Sequence, residues 1–446
     1  MANVVKFEEI HANCAGIDIG SKEIFVSIDG ETVVSFKTFT ADYQKCSKYL
    51  QENGITSVAM EATGVYWMSL YGILESCGIK VCLVHPREVQ QVKGRKSDVK
   101  DSQWIQKLYS AGILRESIVA EGRLKELRVL VRERLDLIEM GSTYVNKMQK
   151  YLELMNIKLR NVISPIHGAS GLRIIKAILA GERDLDVLVD LCDIRILEHK
   201  REDVKKALEG NYNEPYLALL KENLRLWEEH QNSIKRVEHQ NSIKRVEHEI
   251  GKLLEDLNQG NKEIIVTSRS NPARHHHPDI KDLHKTMVQM YGGIDLNHIA
   301  GINDSTMLRL LGEVGFDLSR FPTKKHFVSW LGLSPKNKQS GKMKKRVKSQ
   351  TNNAGLIFRQ SAQSLMGSKH NAIGVFIRRL KGRKGSKVAI KAGARKIAEA
   401  YYDALTKGLD YVEQGAEKYL QQIKMNEIKL MNKLAVKHNF KIMEAG

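Results

Sequence analysis

The sequence has few cysteines, no long apolar run and no signal-like start, and each absence removes a class of protein. Its five cysteines among 446 residues show neither metal-ligand spacing nor a disulfide framework. No apolar run reaches the ~18 residues that a membrane-spanning helix needs, and the opening MANVVKFEEIHANC is too polar for a signal peptide. The sequence therefore predicts a cytoplasmic protein with reduced thiols and no membrane partner.

Acidic residues are missing from one long stretch of the chain. Between Asp317 and Glu399 there is no Asp or Glu, whereas 21 Lys and Arg occur there. The formal net charge is +19, so the rest of the chain carries a net charge of −2. A localised basic field of this size favours a polyanionic partner, nucleic acid above all. A solvated lysine-rich surface is the alternative, although such surfaces usually mix both signs.

Residues 15–84 alternate between strand-type and helix-type segments. AGIDIG, EIFVSI and ETVVSFKTF read as three consecutive strands, and helix, strand, helix and strand follow up to KVCLV. This order predicts a mixed sheet with helices on its faces, and it fits an α/β RNase H-like fold. We predict a catalytic domain over 10–115, long helices with a coiled coil and a linker over 116–285, and a mainly α-helical domain over 286–446.

A heptad pattern runs along the helix that begins near residue 124. Nine of its eleven a and d positions are apolar, which is typical of a coiled coil or a helical hairpin. An amphipathic helix packed on its own domain would give the same pattern. The a and d positions are Leu124, Leu127, Val131, Arg134, Ile138, Gly141, Val145, Met148, Leu152, Met155 and Leu159.

Residues 160–285 are helical, charged and weakly patterned, apart from one internal repeat. HQNSIKRVE at 230–238 recurs immediately at 239–247. Nine residues turn a helix by about 900°, which is half a turn away from the starting face. Ile234 and Val237 therefore cannot share a straight seam with their counterparts in the second copy. We interpret the repeat as a recent tandem duplication without a function of its own.

Four acidic residues stand where a metal-dependent phosphoryl-transfer site would need them. Asp18 lies inside the first strand between two isoleucines, where a carboxylate is costly unless a metal or partner satisfies it. Glu61 closes the strand TSVAME, and Asp98 and Asp101 lie three residues apart on one face of a predicted helix. Magnesium prefers such carboxylate-rich sites. Two ions about 4 Å apart would flank a scissile phosphate.

Each acidic residue also has an ordinary structural interpretation. Asp18 alone would bond a backbone amide at a strand end, and Glu61 would be a charge at a helix N-terminus. Asp98 and Asp101 would be surface acids that pair with neighbouring cations. The order strand-Asp, strand-Glu, helix-Asp-x-x-Asp favours a metal site over four separate roles.

Several sequence blocks resemble a known family. GIDIGSKEIFVSI, MEATGVYW and KGRKSDVKDSQWIQKL are similar to the motif blocks of the DEDD insertion-sequence transposases, whose catalytic domain is similar to the RuvC Holliday-junction resolvase. The resemblance resumes at AGINDSTMLRLLGEVG and covers roughly two thirds of the chain. It implies a RuvC-like N-terminal domain in which Asp18, Glu61, Asp98 and Asp101 hold magnesium.

KNKQSGKMKKRVK places Ser340 before Gly341 in a basic loop. Positive charge and a nearby metal would favour the serine alkoxide and the transition state of its attack on phosphorus. From the residues alone, a Ser-Gly turn that only grips DNA is the simpler interpretation. The resemblance implies instead that Ser340 is the nucleophile, because the family's catalytic serine lies in this Ser-Gly block.

Two features near this serine predict contact with nucleic acid. AGIN at 300–303 resembles the family's helix-hairpin-helix turn, which offers backbone amides to phosphate, but Ala300 and Asn303 stand where Pro and Gly are usual. The basic loop supplies side-chain cations. The predicted nucleic-acid-binding residues are Lys336, Lys338, Lys342, Lys344, Lys345, Arg346 and Lys348.

The resemblance implies a transposase that recombines DNA. In the implied reaction a serine attacks a DNA phosphate, magnesium assists, and a bridge RNA selects donor and target DNA by base pairing. The resemblance also implies a prokaryotic, nucleoid-associated homo-oligomer, a dimer or tetramer, with the heptad helix as a contact. Two alternatives stay open: a junction nuclease that uses water as nucleophile, and a catalytically silent nucleic-acid-binding scaffold.

Overall fold

The computed structural model divides the chain into two compact units, Met1–Val119 and Ala120–Gly446. Within the described residues, no helix combines the length and the apolar character that a bilayer crossing requires. The described residues are 10–62, 64–84, 89, 98–114, 122–232, 242–259, 264, 266, 268–273, 276–335, 338–340, 343–345, 351–408 and 415–438.

The first unit is built on a five-stranded mixed sheet in the order β3-β2-β1-β4-β5. The strands are β1 Cys14–Ile19, β2 Glu23–Ser27, β3 Val34–Lys37, β4 Ser57–Glu61 and β5 Lys80–Val84. β1 pairs antiparallel with β2 and parallel with β4, so β1 lies at the centre. The helices of this unit are α1 Thr40–Glu52, α2 Trp67–Ser76 and α3 Asp98–Ser110.

Alternate residues of the central strands face opposite sides of this sheet, as the pleat requires. Ile17 and Met60 are fully buried on the side covered by α1 and α2, where Leu50 and Leu70 meet them. The residues that alternate with these along each strand face α3. Ala59, for example, packs in a second cluster with Ile105. Both sides of the sheet are therefore covered by helices, which explains the nearly continuous apolar strands.

Gly16 lets α3 lie directly on the central strand. A methyl group added at Gly16 would come within 2.3 Å of the Gln106 backbone nitrogen and of the Ser102 carbonyl oxygen. At the other end of the helix, the Ser110 carbonyl accepts a hydrogen bond of 2.7 Å from the Ile10 backbone N–H, just before β1 begins. The helix therefore runs antiparallel to β1, with its first turn beyond Gly16 in the direction of Asp18.

Replacing Gly16 by alanine should destabilise the first unit by about 1–3 kcal/mol, because the added methyl group displaces α3 from the sheet. Denaturant unfolding would measure the loss. Gly72→Ala in α2 is a matched control, since nothing lies within 4 Å of the position where its methyl group would be. Equal unfolding free energies for Gly16→Ala and the unaltered protein would contradict the close packing.

The second unit is largely helical, with one short hairpin of strands β6 Lys338–Ser340 and β7 Met343–Lys345. Two 3-10 turns, Leu296–His298 and Leu365–Gly367, accompany the helices. The helices are α4 Leu124–Leu154, α5 Leu159–Val162, α6 Ala169–Leu179, α7 Leu185–Asp190, α8 Ile194–Ala207, α9 Glu214–Asn232, α10 Ser242–Asn258, α11 Leu283–Met290, α12 Asp304–Val314, α13 Lys324–Trp330, α14 Asn353–Ser364, α15 Ala372–Lys384, α16 Ser386–Lys407 and α17 Gly415–Lys437.

The heptad face of α4 packs against helices of the same chain. α9 and α10 cover it, and α12 also packs on this helix. The structure thus supports the amphipathic helix packed on its own domain. The buried heptad positions within α4 are Leu127, Val131, Arg134, Gly141, Val145, Met148 and Leu152, and the two positions beyond its end, Met155 and Leu159, are buried as well.

Contacts along α4 show how the repeated nonapeptide is accommodated. Near the C-terminal half of α4, the rings of Tyr144 and His230 have centroids 6.2 Å apart. Ten residues earlier on α4, the buried Arg134 donates a 2.6 Å hydrogen bond to the carboxylate of Glu247 in α10. Ten helical residues span about 15 Å, but the seventeen residues from His230 to Glu247 would span about 26 Å as a straight helix.

The chain between these contacts is therefore about seven residues longer than a straight helix would need. Between α9 and α10 lie residues 233–241, which are outside the described part of the chain and equal one copy of the repeat in number. Ile234 and Val237, which were predicted not to share a straight seam with their counterparts in the second copy, lie outside the described residues. We infer that the duplication supplies these extra residues, and that α9 and α10 both lie antiparallel to α4.

Deleting residues 230–238 should leave a cooperatively folded protein with an unfolding temperature equal to or higher than that of the full chain. The shorter chain leaves eight residues between the two contact positions, close to the ten that separate them on α4, and it keeps the partner of Arg134. Circular dichroism during thermal unfolding would measure both helix content and cooperativity. Deleting nine residues inside α9, 219–227, is the control and should abolish cooperative unfolding; the same result for 230–238 would refute the shared register.

Candidate active site

Two of the four predicted carboxylates lie side by side on the central strands. The parallel register pairs Ile17 with Met60, and its next step sets Asp18 beside Glu61. Because Ile17 and Met60 face α1 and α2, Asp18 and Glu61 both point to the side that carries α3. Both side chains are half-buried. They lie at the carboxyl ends of adjacent parallel strands, the edge where open α/β sheets usually bind ligands.

The other two carboxylates belong to the first turn of α3. Asp98 is the first residue of this helix, and Asp101 is half-buried three residues later. The helix runs from the Asp18 end of β1 towards its start, so this turn and the two strand ends share one end of the sheet. The Asp98 side chain lies outside the described part of the chain, and the described side chains form no group of three His, Cys, Asp or Glu able to hold an ion.

Ser340 ends the strand β6 in the second unit. It is the Cα partner of Met343 in β7, so Gly341 and Lys342 connect the two antiparallel strands. Of the predicted nucleic-acid-binding residues, Lys338, Lys344 and Lys345 belong to this hairpin, for which the structure describes the backbone. The remaining ones, Lys336, Lys342, Arg346 and Lys348, lie outside the described residues.

Two family models match the parts of the chain that carry these sites. The DEDD transposase model of the IS110 type matches residues 15–157, which include the sheet, α3 and α4. The model of the transposase IS116/IS110/IS902 family matches residues 295–369, which include the Ser340 hairpin. The chain belongs to the IS110-type DEDD transposases. It is therefore a transposase enzyme that acts on DNA. A comparison with curated proteins found no match.

The AGIN turn of this transposase is packed inside its unit. Gly301 has a φ of +89°, and a methyl group there would come within 3.1 Å of the Ser361 carbonyl oxygen in α14. Ile302 is buried, and the Asn303 side chain accepts a 2.9 Å hydrogen bond from the Thr306 backbone N–H. Asn303 thus caps α12, which gives a structural reason for asparagine at a position where the family usually has glycine.

A buried polar network beside this turn was not foreseen from the sequence. The fully buried Asp304 accepts hydrogen bonds from the Ser270 hydroxyl at 2.6 Å and the Asn297 amide at 2.6 Å, and it contacts His284 Nδ1 at 2.8 Å. The other ring nitrogen of His284 lies 3.0 Å from the Ser268 hydroxyl. Asp304 opens α12 and is followed by Ser305 and Thr306, as an ordinary acidic residue at a helix N-terminus would be, so the sequence carried no signal for this network.

These hydrogen bonds set the ionisation of Asp304. Burial alone would raise its pKa, but the hydrogen bonds from Ser270, Asn297 and His284 together lower the pKa below the ordinary value. The folded protein therefore keeps the carboxylate ionised at a lower pH than the unfolded chain does. Its contribution to stability is present above the unfolded pKa of about 4 and is lost as the pH falls through the folded value.

Asp304→Asn should lower the free energy of unfolding by about 2–4 kcal/mol at pH 7, because an amide cannot accept all of these hydrogen bonds. The difference from the unaltered protein should shrink at pH 3, because the unfolded chain binds the proton below its pKa of about 4 and the contribution of the carboxylate to stability is then progressively lost. Urea unfolding of both proteins at the two pH values would measure it. A difference that is the same at pH 7 and pH 3 would show that the charge of Asp304 is not what stabilises the network.

Proposed function

We propose that this transposase exchanges DNA strands through a nucleophilic serine, with magnesium at the carboxylate site and with a bridge RNA as guide. The observation that carries the proposal is the neighbouring position of Asp18 and Glu61 at one end of the sheet, with the first turn of α3 at the same end. The strand order and the central antiparallel–parallel pairing also support an RNase H-like fold for this unit.

The donor set fits a hard divalent cation, because each candidate ligand is a carboxylate. DEDD transposase domains generally use a divalent metal, and Asp18, Glu61, Asp98 and Asp101 would hold it here. When bound, such ions stabilise negative charge on the attacking and leaving oxygens of a phosphate. Close packing at Gly16 supports this assignment, because it fixes the position of the helix that carries two of the four acids.

The proposed chemical step belongs to Ser340. Its hydroxyl oxygen attacks a DNA phosphorus and loses its proton, a bond from phosphorus to a sugar oxygen breaks, and that sugar is released with a free hydroxyl. A hydroxyl of a second strand then attacks the phosphoserine and restores the serine. The position of Ser340 at a hairpin end, next to Gly341, supports a close approach of the backbone to phosphate. The division into three domains and a homo-oligomeric assembly stay part of this proposal.

A covalent intermediate is the direct test of the proposed step. Protein incubated with end-labelled donor DNA and magnesium should form a complex that survives detergent and disappears after protease treatment. A nuclease that uses water would cut the DNA without such a complex. Guidance is tested separately by sequencing the RNA that co-purifies with the protein: one structured RNA supports it, and a random sample of cellular RNA counts against it.

A further inference from the structure

The cations of the acid-free stretch fall into two groups when their contacts are compared. Several have structural partners: Lys324 pairs with Asp403 at 2.7 Å, Arg379 with Glu427 at 3.0 Å, and Arg395 with Glu399 at 2.8 Å. Lys391 donates to the Ser334 carbonyl, and Lys396 lies over the Phe376 ring. These side chains stabilise the helices of the second unit, and their positive charge is partly neutralised by partners within it.

A second group is concentrated at the junction of α15 and α16. Lys381, Arg383, Lys384 and Lys387 occur within seven residues, and all residues from Lys381 to Val388 are exposed. Among the described residues, none of these four cations has an acidic partner within ion-pair distance. We call the four side chains the junction cluster.

The helices beneath the junction cluster are closely connected and closely packed. Only Gly385, with a φ of +81°, separates the two helices. The helices then pack closely, since a methyl group at Gly393 in α16 would come within 2.5 Å of the Ile377 side chain in α15. The four cations are therefore held on a fixed helical corner, unlike cations on a flexible tail.

One member of the cluster, Lys387, occupies a position that is unfavourable for the stability of its own helix. Cations are favourable near the C-terminus of a helix, as at the end of α15, but unfavourable in a first turn. Lys387 lies in the first turn of α16, which contains no acidic residue. The four cations thus create a localised positive field in which Lys387 gains no local stabilisation, and such a field is expected where an anion binds.

We propose that the junction cluster binds the sugar–phosphate backbone of duplex DNA, at a surface distinct from the Ser340 hairpin. The proposal rests on the family's action on DNA but not on the serine or metal chemistry. Duplex DNA suits the cluster because its phosphates form a dense and regular row of negative charge. Contacts of this kind hold DNA in place and do not read its sequence.

The test is the salt dependence of binding by the full chain to a random-sequence duplex, measured by fluorescence anisotropy with EDTA present so that no reaction occurs. Each phosphate contact contributes about 0.9 to the slope of log affinity against log salt concentration. Replacing the four cations of the junction cluster by glutamine should therefore reduce the slope by about 3–4, equally for unrelated DNA sequences.

The matched control removes the same charge from exposed lysines elsewhere, and its slope should change by less than 1. An unchanged slope for the cluster variant, or an equal change in the control, would overturn the proposal. A loss of affinity for single-stranded RNA without a loss for duplex DNA would overturn it as well. If the fourfold variant does not fold, K381Q/R383Q and K384Q/K387Q should each lower the slope by about 2. The control residues are Lys147, Lys206, Lys221 and Lys429.

These outcomes are independent of the proposed reaction. A protein that lacks the serine chemistry would still show the salt slope, because EDTA removes the metal and binding is read directly. Conversely, a normal covalent complex together with an unaltered slope would leave the reaction standing and remove only the binding surface.

Discussion

Ser340→Ala is expected to abolish the covalent protein–DNA complex and to lower strand exchange by roughly 10⁴-fold or more, as the loss of a nucleophile does in other enzymes. The hydroxyl is the group that would form the bond to phosphorus, and alanine has none. DNA binding should be unchanged, because the surrounding cations stay in place. The measurement is the yield of detergent-resistant complex on end-labelled DNA, alongside an anisotropy titration of the same duplex.

Ser334→Ala is the matched control for this variant. Ser334 lies six residues before Ser340, and its contact with Lys391 is made by its backbone carbonyl, which the substitution keeps. It should form the complex normally. If Ser340→Ala cuts DNA at the normal rate without a covalent complex, water is the nucleophile and the protein is a junction nuclease. If Ser340→Ala still forms the complex, another side chain attacks.

Asp18→Asn is expected to lower strand exchange by about 10³-fold or more while DNA binding persists, because the amide keeps the shape of the side chain but loses the charge that would hold a divalent cation. Asp42→Asn is the control in the same unit. Asp42 is a surface acid paired with Lys45 at 2.9 Å, and such pairs contribute little to stability. Its activity should be normal.

A second measurement separates metal binding from a general loss of activity. An ion that binds only the folded protein raises its unfolding temperature with concentration. Magnesium should therefore stabilise the unaltered protein and the Asp42→Asn variant, and it should have much less effect on Asp18→Asn. If Asp18→Asn processes DNA at the normal rate, the carboxylate cluster is not catalytic. The result would favour the alternative of a catalytically silent nucleic-acid-binding scaffold.

The first unit follows from its sequence to a large extent because its signals are local. Alternating and continuous apolar runs predict its strands, and the helix predicted to carry Asp98 and Asp101 appears as Asp98–Ser110. Parallel pairing of the first and fourth strands then sets Asp18 beside Glu61. The closeness of α3 to β1 was less evident, because its signal is a single small residue, Gly16, whose partners are about ninety residues away.

The second unit was harder to predict because its decisive contacts are distant in sequence. The heptad pattern gives the buried face of α4 but not the partner that covers it. Arg134, one of the two exceptions to the apolar seam, is satisfied by Glu247 more than a hundred residues later. The Asp304 network likewise joins segments that no periodicity connects. Local patterns specify which face is buried, and only the tertiary fold specifies what it meets.

The position of the repeat between the contacts of α9 and of α10 with α4 has a consequence for how this chain can vary in length. The two nonapeptides are identical, so losing either one gives the same shorter protein. A third copy would enter at the same point of the sequence, between two helices that each contact α4. Related chains could thus differ by whole multiples of nine residues at this point while the helices on either side, and the units that carry the chemistry, stay as they are.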